Sequence, residues 1–284
     1  MREGNPMPEK CGSVVLDDRA LEEFTQFASQ LAAIASREIL PHFRAVIEID
    51  NKASAGNFDP VTIADRAAER AIRDEIERVY PGHGILGEEH GAKAGRDGLT
   101  WVIDPIDGTR AFIIGQLHWG VLIALNDGER PVVGLMHQPF TGETFSGSRL
   151  GAHWSRGSER RTLHTRKCSR IEDAVVSATD PAMFKSGVER DVFRALARRA
   201  KMRRYGGDCY SYCLVAAGFI DLVIEAGLQP YDIQAIIPIV EGAGGIVTSW
   251  SGKSAATGGQ CIVAGDPVAH KLALEALSHA ATDV

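Results

Sequence analysis

The chain has 284 residues, enough for one large domain or two lobes sharing a cleft, and either can bury a substantial core. Its 44% hydrophobic and 24% charged residues describe a globular protein, and a formal net charge of -6 argues against a nucleic-acid binder, whose affinity would rest on a basic surface. An anionic substrate stays open, because a bound divalent cation can reverse the field inside a pocket. Five scattered cysteines (Cys11, Cys168, Cys209, Cys213, Cys261) form no C-x-x-C pair, which speaks against a zinc ribbon or a disulfide framework and for free thiols in a reducing cytosol. The opening lacks the apolar core of a signal peptide, and no run approaches the roughly 18 apolar residues needed to span a bilayer. Residues 1–16 read as a flexible tail, and the expected location is cytoplasmic.

Leu21, Phe24, Phe27, Ala28, Leu31, Ile34 and Ala35 recur at helical spacing, with Asp17 or Asp18 available as a cap and Pro41 as a stop. After the extended Asp59-Pro60-Val61-Thr62, a second helix runs through Ala64, Ala68 and Ile72 to Val79, and Pro81-Gly82 ends it. Trp101-Val102-Ile103 is a strand, and Gly120–Leu125 and Val132–Met136 are two more, joined by a hairpin loop at Asn126–Pro131. Short, Gly-rich strand-like pieces follow from 140 to 166. The spacing predicts two helices on a mostly antiparallel sheet over residues 17–165.

From about 171 the pattern alternates. Ala174–Ser177 is a strand, and Val188–Ala200 and Tyr210–Ala217 are helices. Ile220–Ile224 is a strand, Ile233–Val240 a helix, Ile246-Val247 and Ile262–Ala264 are strands, and a last helix covers about Pro267–His279. Alternation of this kind predicts an α/β sheet covered on both faces, here a second lobe over residues 166–284. The fold class expected is mixed α/β, a layered αβαβα sandwich.

The stretch Asp104-Pro105-Ile106-Asp107-Gly108-Thr109 places two carboxylates three residues apart at the end of an apolar strand. Such a turn can aim both side chains and an intervening carbonyl at one point, and Mg²⁺ favours oxygen ligands in octahedral order. Gly108 lets backbone come close, and Thr109 adds a hydroxyl. Glu88 follows Ile85-Leu86, Asp65 sits at a helix start, and Asp232 precedes a helix that runs to Glu241-Gly242-Ala243-Gly244-Gly245. Each of these alone also reads as a cap or turn residue.

Taken together and in this order, D-P-V-T-x-A-D, G-E-E, W-V-I-D-P-I-D-G-T and Y-D before a Gly-Gly turn resemble the inositol monophosphatase family of metal-dependent phosphatases, from about residue 20 to 275. The resemblance implies the layered fold shared with fructose-1,6-bisphosphatase, a homodimer, and two to three Mg²⁺ ions. Their ligands would be Glu88, Asp104, the Ile106 carbonyl, Asp107 and Asp232. Asp65 and Thr109, with Glu88, match the positions that serve the nucleophilic water; Gly108 and Thr109 match the phosphate-binding backbone. Tyr231 stands where the family usually has tryptophan, and Glu241-Gly242 where it has Thr-Glu; Glu241 is given no catalytic role.

The expected chemistry is in-line attack by metal-activated water with no phosphoenzyme, Thr109 Oγ1 being hydrogen-bonded to Asp65. No P-loop pattern occurs, and Gly242-Ala243-Gly244-Gly245 precedes a strand instead of opening a helix, so it does not read as a dinucleotide site. Specificity is expected from Gly207, Asp208, Cys209 and Glu225, which match positions lining the organic half of the substrate, and Asp232 is expected to contact substrate as well as metal. Two carboxylates there suit a cationic leaving group, and G-G-D-C-Y-x-Y with E-A-G-L-x-P-Y-D resembles the histidinol-phosphatase branch. Capping of the helix near Cys209 is the other reading of Asp208. Inositol-1-monophosphatase activity is the alternative substrate reading, ahead of sugar bisphosphates and nucleotides. An alternative of another class is regulatory binding of RNA or a transcription complex, for which the basic run Arg198–Arg204 is the only candidate; it also reads as a solvated helix end.

Overall fold

A computed structural model describes residues 14–46, 49–51, 60–185 and 187–282, so most of the expected N-terminal tail, Cys11 and Asp59 lie outside the described residues. In chain order the elements are α1 (Asp18–Ile39), β1 (Ile49–Asn51), β2 (Pro60–Thr62), α2 (Ile63–Val79), β3 (Gly84–Gly87), β4 (Gly91–Lys93), β5 (Thr100–Asp107), α3 (Thr109–Ile113) and β6 (Gly120–Asn126). They continue through β7 (Pro131–Gln138), β8 (Glu143–Ser148), β9 (Gly151–Arg156), β10 (Glu159–Thr162), β11 (Val175–Ala178), α4 (Val188–Arg199), β12 (Met202–Tyr205) and α5 (Asp208–Ala216). The last elements are β13 (Leu222–Leu228), α6 (Pro230–Ile233), α7 (Ile236–Gly242), β14 (Ile246–Thr248), β15 (Gly259–Ala264) and α8 (Pro267–Leu277).

Helix α1 forms because its apolar residues fall on one face and Asp17 accepts from the Ala20 amide at 2.8 Å. Helix α2 begins with a capping box in which the Thr62 and Asp65 side chains each bond the other's backbone. Its Ala64, Ala68, Ile72 and Ile76 stripe packs with α1 against one face of the large sheet. That sheet has the order β10-β9-β8-β7-β6-β5-β3-β4 and is antiparallel except for the β3·β5 pair. The second sheet has the order β12-β11-β13-β15-β14, parallel over its first three strands and antiparallel over its last three.

Period-two alternation splits the large sheet between two cores. Val121, Ile123 and Leu125 turn toward α1 and α2, while Leu122 and Ala124 join a core shared with α5, α7 and the inner face of the second sheet. A third core lies between that sheet's outer face and α4 with α8, through Val176, Ile224, Ile262, Phe193, Leu196 and Ala273. The result is the expected five-layer αβαβα stack. Two local expectations change. The run expected as one helix from Ile233 divides into α6 and α7. The basic run is only half a helix end: α4 stops at Arg199, and Met202 to Arg204 enter the exposed edge strand β12, because pairing with β11 satisfies their backbone on one side.

Candidate active site

The middle helix layer meets the C-terminal end of β5, and the acidic residues collect there. Asp104 and Asp107 lie on β5 on either side of a break in its register with β6. Pro105 cannot donate to a sheet ladder, so pairing yields there, and the Ile106 amide turns back to Asp104 Oδ1 at 3.0 Å. Gly108 follows at φ +82°, a left-handed conformation; a Cβ there would stand 2.6 Å from the His118 carbonyl oxygen. Asp232 comes from α6, where its Oδ2 accepts from the Gln229 amide at 2.7 Å.

One carboxylate oxygen each of Asp104, Asp107 and Asp232 lies within 4.8 Å of the others. Burial raises the Asp104 carboxyl well above the usual range, and the charges of Glu88, Asp107 and Asp232 raise it further. Burial does the same for Asp107 and Asp232, Asp107 adding to the effect on Asp232. Carboxylates so crowded repel one another unless a cation is shared among them, and an all-oxygen donor set of this kind suits a hard divalent ion. Glu88, at the end of β3, extends the group. Its amide donates to the Ile103 carbonyl at 3.2 Å, continuing the β3·β5 pairing beside Asp104.

Asp65 is buried at the start of α2. Its Oδ2 accepts from the Thr62 amide (2.9 Å) and hydroxyl (2.6 Å), while its Oδ1 is buried without a hydrogen-bond partner. Burial pushes this carboxyl up to about 6. The expected bond between Thr109 and Asp65 is not formed. Thr109 Oγ1 donates instead to the Ile106 carbonyl at 3.0 Å, because the left-handed turn at Gly108 folds the hydroxyl back three residues. The capping box meanwhile holds the other Asp65 oxygen.

On the side of the second sheet, Gly207 precedes α5 and Asp208 opens it at φ +41°. The amide of the next residue, Cys209, donates to Asp107 Oδ2 at 2.7 Å, so the start of α5 is satisfied by a carboxylate from the other sheet and not by an Asp208 cap. Glu225, on β13, takes the Thr179 amide on Oε1 at 2.7 Å and leaves Oε2 buried without a partner. Burial lifts Glu225 to about 8 and Asp208 to about 7, each helped by the charge of Asp107. Glu241 lies apart, paired with Arg130 at 2.5 Å.

Two buried or half-buried residues beside the group escape a reading by motif. Glu69 and Arg73 follow Asp65 at four-residue steps on α2, next to the apolar stripe, and contact the turn that carries Glu88. The signal was present as a charged line beside the apolar line on an otherwise inward-facing helix.

Residues 20–282 match the inositol monophosphatase family. The chain is 37% identical over 273 residues to the "Bifunctional phosphatase IMPL2, chloroplastic" of Arabidopsis thaliana, covering 92% of this chain and 77% of that protein. It is 32% identical to a "Histidinol-phosphatase" of Chlorobaculum parvum, covering 84% of this chain and 90% of the other. The solved structure of an inositol monophosphatase from Zymomonas mobilis superposes with a TM-score of 0.80 at 39% identity, over 91% of this chain and 98% of that one. The site geometry and these matches agree, and the chain belongs to the inositol monophosphatase family.

Proposed function

We propose that this phosphatase is a Mg²⁺-dependent phosphomonoesterase acting on L-histidinol phosphate. Glu88, Asp104, Asp107, Asp232 and the Ile106 carbonyl would hold Mg²⁺, which when bound would supply neutralisation of the phosphate dianion and a more acidic water. Gly108 and Thr109 receive the phosphate through their backbone, at a turn whose glycine leaves no side chain in the way. Asp65 accepts the proton of the attacking water on its unpartnered Oδ1, directly or through Thr109, whose hydroxyl then leaves the Ile106 carbonyl. A carboxyl held near 6 suits that task at neutral pH. A division into two lobes near residue 165 is part of the same proposal, with the large sheet and the second sheet each supplying residues to the site.

The observation that carries the choice of substrate is the buried, unpartnered Oε2 of Glu225 in the field of Asp208. A neutral polyol gives these carboxylates hydrogen bonds only, whereas the amine and imidazole of histidinol give them charge. The inositol phosphate reading is favoured by the 39% identity to the Zymomonas mobilis inositol monophosphatase. Phosphate release from L-histidinol phosphate and from myo-inositol 1-phosphate, each with Mg²⁺ and with EDTA, separates the two. A Mg²⁺-dependent preference for the first ester supports the proposal. Preference for the second keeps the metal chemistry and removes the cation argument. A homodimer and two to three Mg²⁺ ions per site are part of the same proposal, tested by sedimentation and by metal titration.

A further inference from the structure

Glu69 is completely buried on α2, a place where an apolar side chain would pack at lower cost. Its carboxylate is instead wholly engaged. Oε2 accepts from the Glu89 amide at 2.6 Å, and Oε1 accepts from the His90 amide at 3.1 Å and from Arg73 Nε at 2.7 Å. Arg73 also donates through its other guanidinium nitrogen to the Gly91 carbonyl. His90 Nε2 lies 3.2 Å from the Arg66 carbonyl oxygen, a further tie between the same turn and α2. Residues 88–90 are the turn joining β3 to β4, and its first residue is Glu88. The fit is close: a Cβ on Gly87 would stand 1.9 Å from Glu69 Oε1.

The turn needs such an anchor for an electrostatic reason. Glu88 is directed at a group of carboxylates that repel it; β5 holds its backbone through one amide, but the rest of the turn and the edge strand β4 have no sheet partner on their outer side and could yield to that repulsion. Bonds to the backbone of Glu89, His90 and Gly91 oppose this movement without occupying the Glu88 side chain. Arg73 neutralises Glu69, so the anchor adds little repulsion of its own. We propose that Glu69 and Arg73 are a positioning pair whose role is to hold Glu88 in place for the divalent cation. This rests on the metal reading given above but not on the choice of substrate.

Calorimetric titration with MgCl₂ of the full chain and of Glu69→Gln, Arg73→Lys and Ile72→Val tests it. Glu69→Gln places an NH₂ group against backbone amides, and Arg73→Lys cannot bridge Glu69 and Gly91 together. Ile72→Val shortens a buried apolar residue of the same helix and serves as the measure of a merely structural loss. The two charged-pair variants should weaken Mg²⁺ binding roughly 10–100-fold, the usual scale for residues that orient a metal ligand, while Ile72→Val stays within about twofold of the unmodified chain. Should Glu69→Gln fail to fold, Arg73→Lys decides. Unchanged Mg²⁺ affinity in the pair variants, equal weakening in Ile72→Val, or no Mg²⁺ binding by the unmodified chain would each overturn the proposal. A chain that binds Mg²⁺ yet hydrolyses neither ester sinks the substrate reading, and the comparison of affinities still decides this one.

Discussion

The two halves of the site are built in opposite ways. The half on the large sheet takes Asp104, Ile106, Asp107, Gly108 and Thr109 from one turn, with Glu88 at the start of the turn after β3, its amide bonded to the same β5. Its carboxylates are crowded, and each raises the pKa of another. The half on the second sheet takes Asp208 from α5 and Glu225 from β13; burial is the largest influence on the carboxyls of both halves, but here only one or two neighbouring charges add to it. Crowding creates a demand for a multivalent cation. A pair of carboxyls with one buried oxygen unpartnered suits a single positive group on a ligand. Under the proposed function the same kind of side chain would serve catalysis in one half and selection in the other, according to how many neighbours share its charge.

The largest expected effect comes from removing the crowding. Asp104→Asn should cut turnover of every ester by at least on the order of 10²–10³-fold, the scale for deleting a key charge-stabilising group. Steady-state rates on both esters check this, and retained activity on either would remove the large-sheet half from the chemistry. Gly108→Ala strikes the seam between the halves. Its Cβ would meet the His118 carbonyl at 2.6 Å and the Asp208 Cβ at 3.2 Å, at a φ that penalises alanine. Activity on both esters should fall, with a stability loss of about 1–3 kcal/mol in denaturant unfolding. A variant as active and as stable as the parent would show that the turn tolerates displacement.

Asp208→Asn should sharpen the contrast. Loss of one charge-assisted bond predicts a rise in KM for histidinol phosphate worth about 1.5–3 kcal/mol, with little change for inositol phosphate. Equal losses on both esters would make Asp208 a structural residue of α5. Away from both halves, burial pushes the His137 imidazole down to about 4 from its usual value. Above about pH 6.5 neither the folded nor the unfolded chain protonates it; between there and about 4 only the unfolded chain does, so stability falls with pH. The contribution should be on the order of 1–2 kcal/mol, reduced from the full shift because the ring keeps some contact with solvent. The difference in urea stability between the parent and His137→Gln at pH 7.5 and pH 5 measures it, and parallel pH curves would exclude it.

How much of this was legible depended on chain distance. The motif at Asp104–Thr109 could be read because one bulged turn sets its geometry, whatever the rest of the chain does. The hairpin at Asn126–Pro131 was legible for the same reason, and Asp127 closes it by donating its amide to the Arg130 carbonyl at 3.0 Å. Helix α1 and the apolar stripe of α2 followed from periodicity. The expected bond between Thr109 and Asp65 is absent because the left-handed turn gives the Thr109 hydroxyl a nearer acceptor in the Ile106 carbonyl, while the capping box fixes Asp65 by Oδ2 and leaves Oδ1 without a partner. The division of the expected Ile233–Val240 helix into α6 and α7 had its signal in Pro238, which has no amide to give the Gln234 carbonyl and so sits in the first turn of a new helix.

By itself, then, the sequence determined the layered α/β class and the acidic turn, since these rest on hydrophobic period and on residues adjacent in the chain; Glu88 and Asp232 were joined to that turn only through the family resemblance. Tertiary structure alone decided that the Cys209 amide answers Asp107, that Glu225 keeps a buried oxygen unpartnered, and that Glu69 and Arg73 grip the turn behind Glu88. Each of those depends on the closeness of groups about 20 to 100 residues apart, and only the packing of whole layers, driven by burial of their apolar faces, brings such groups within hydrogen-bonding distance.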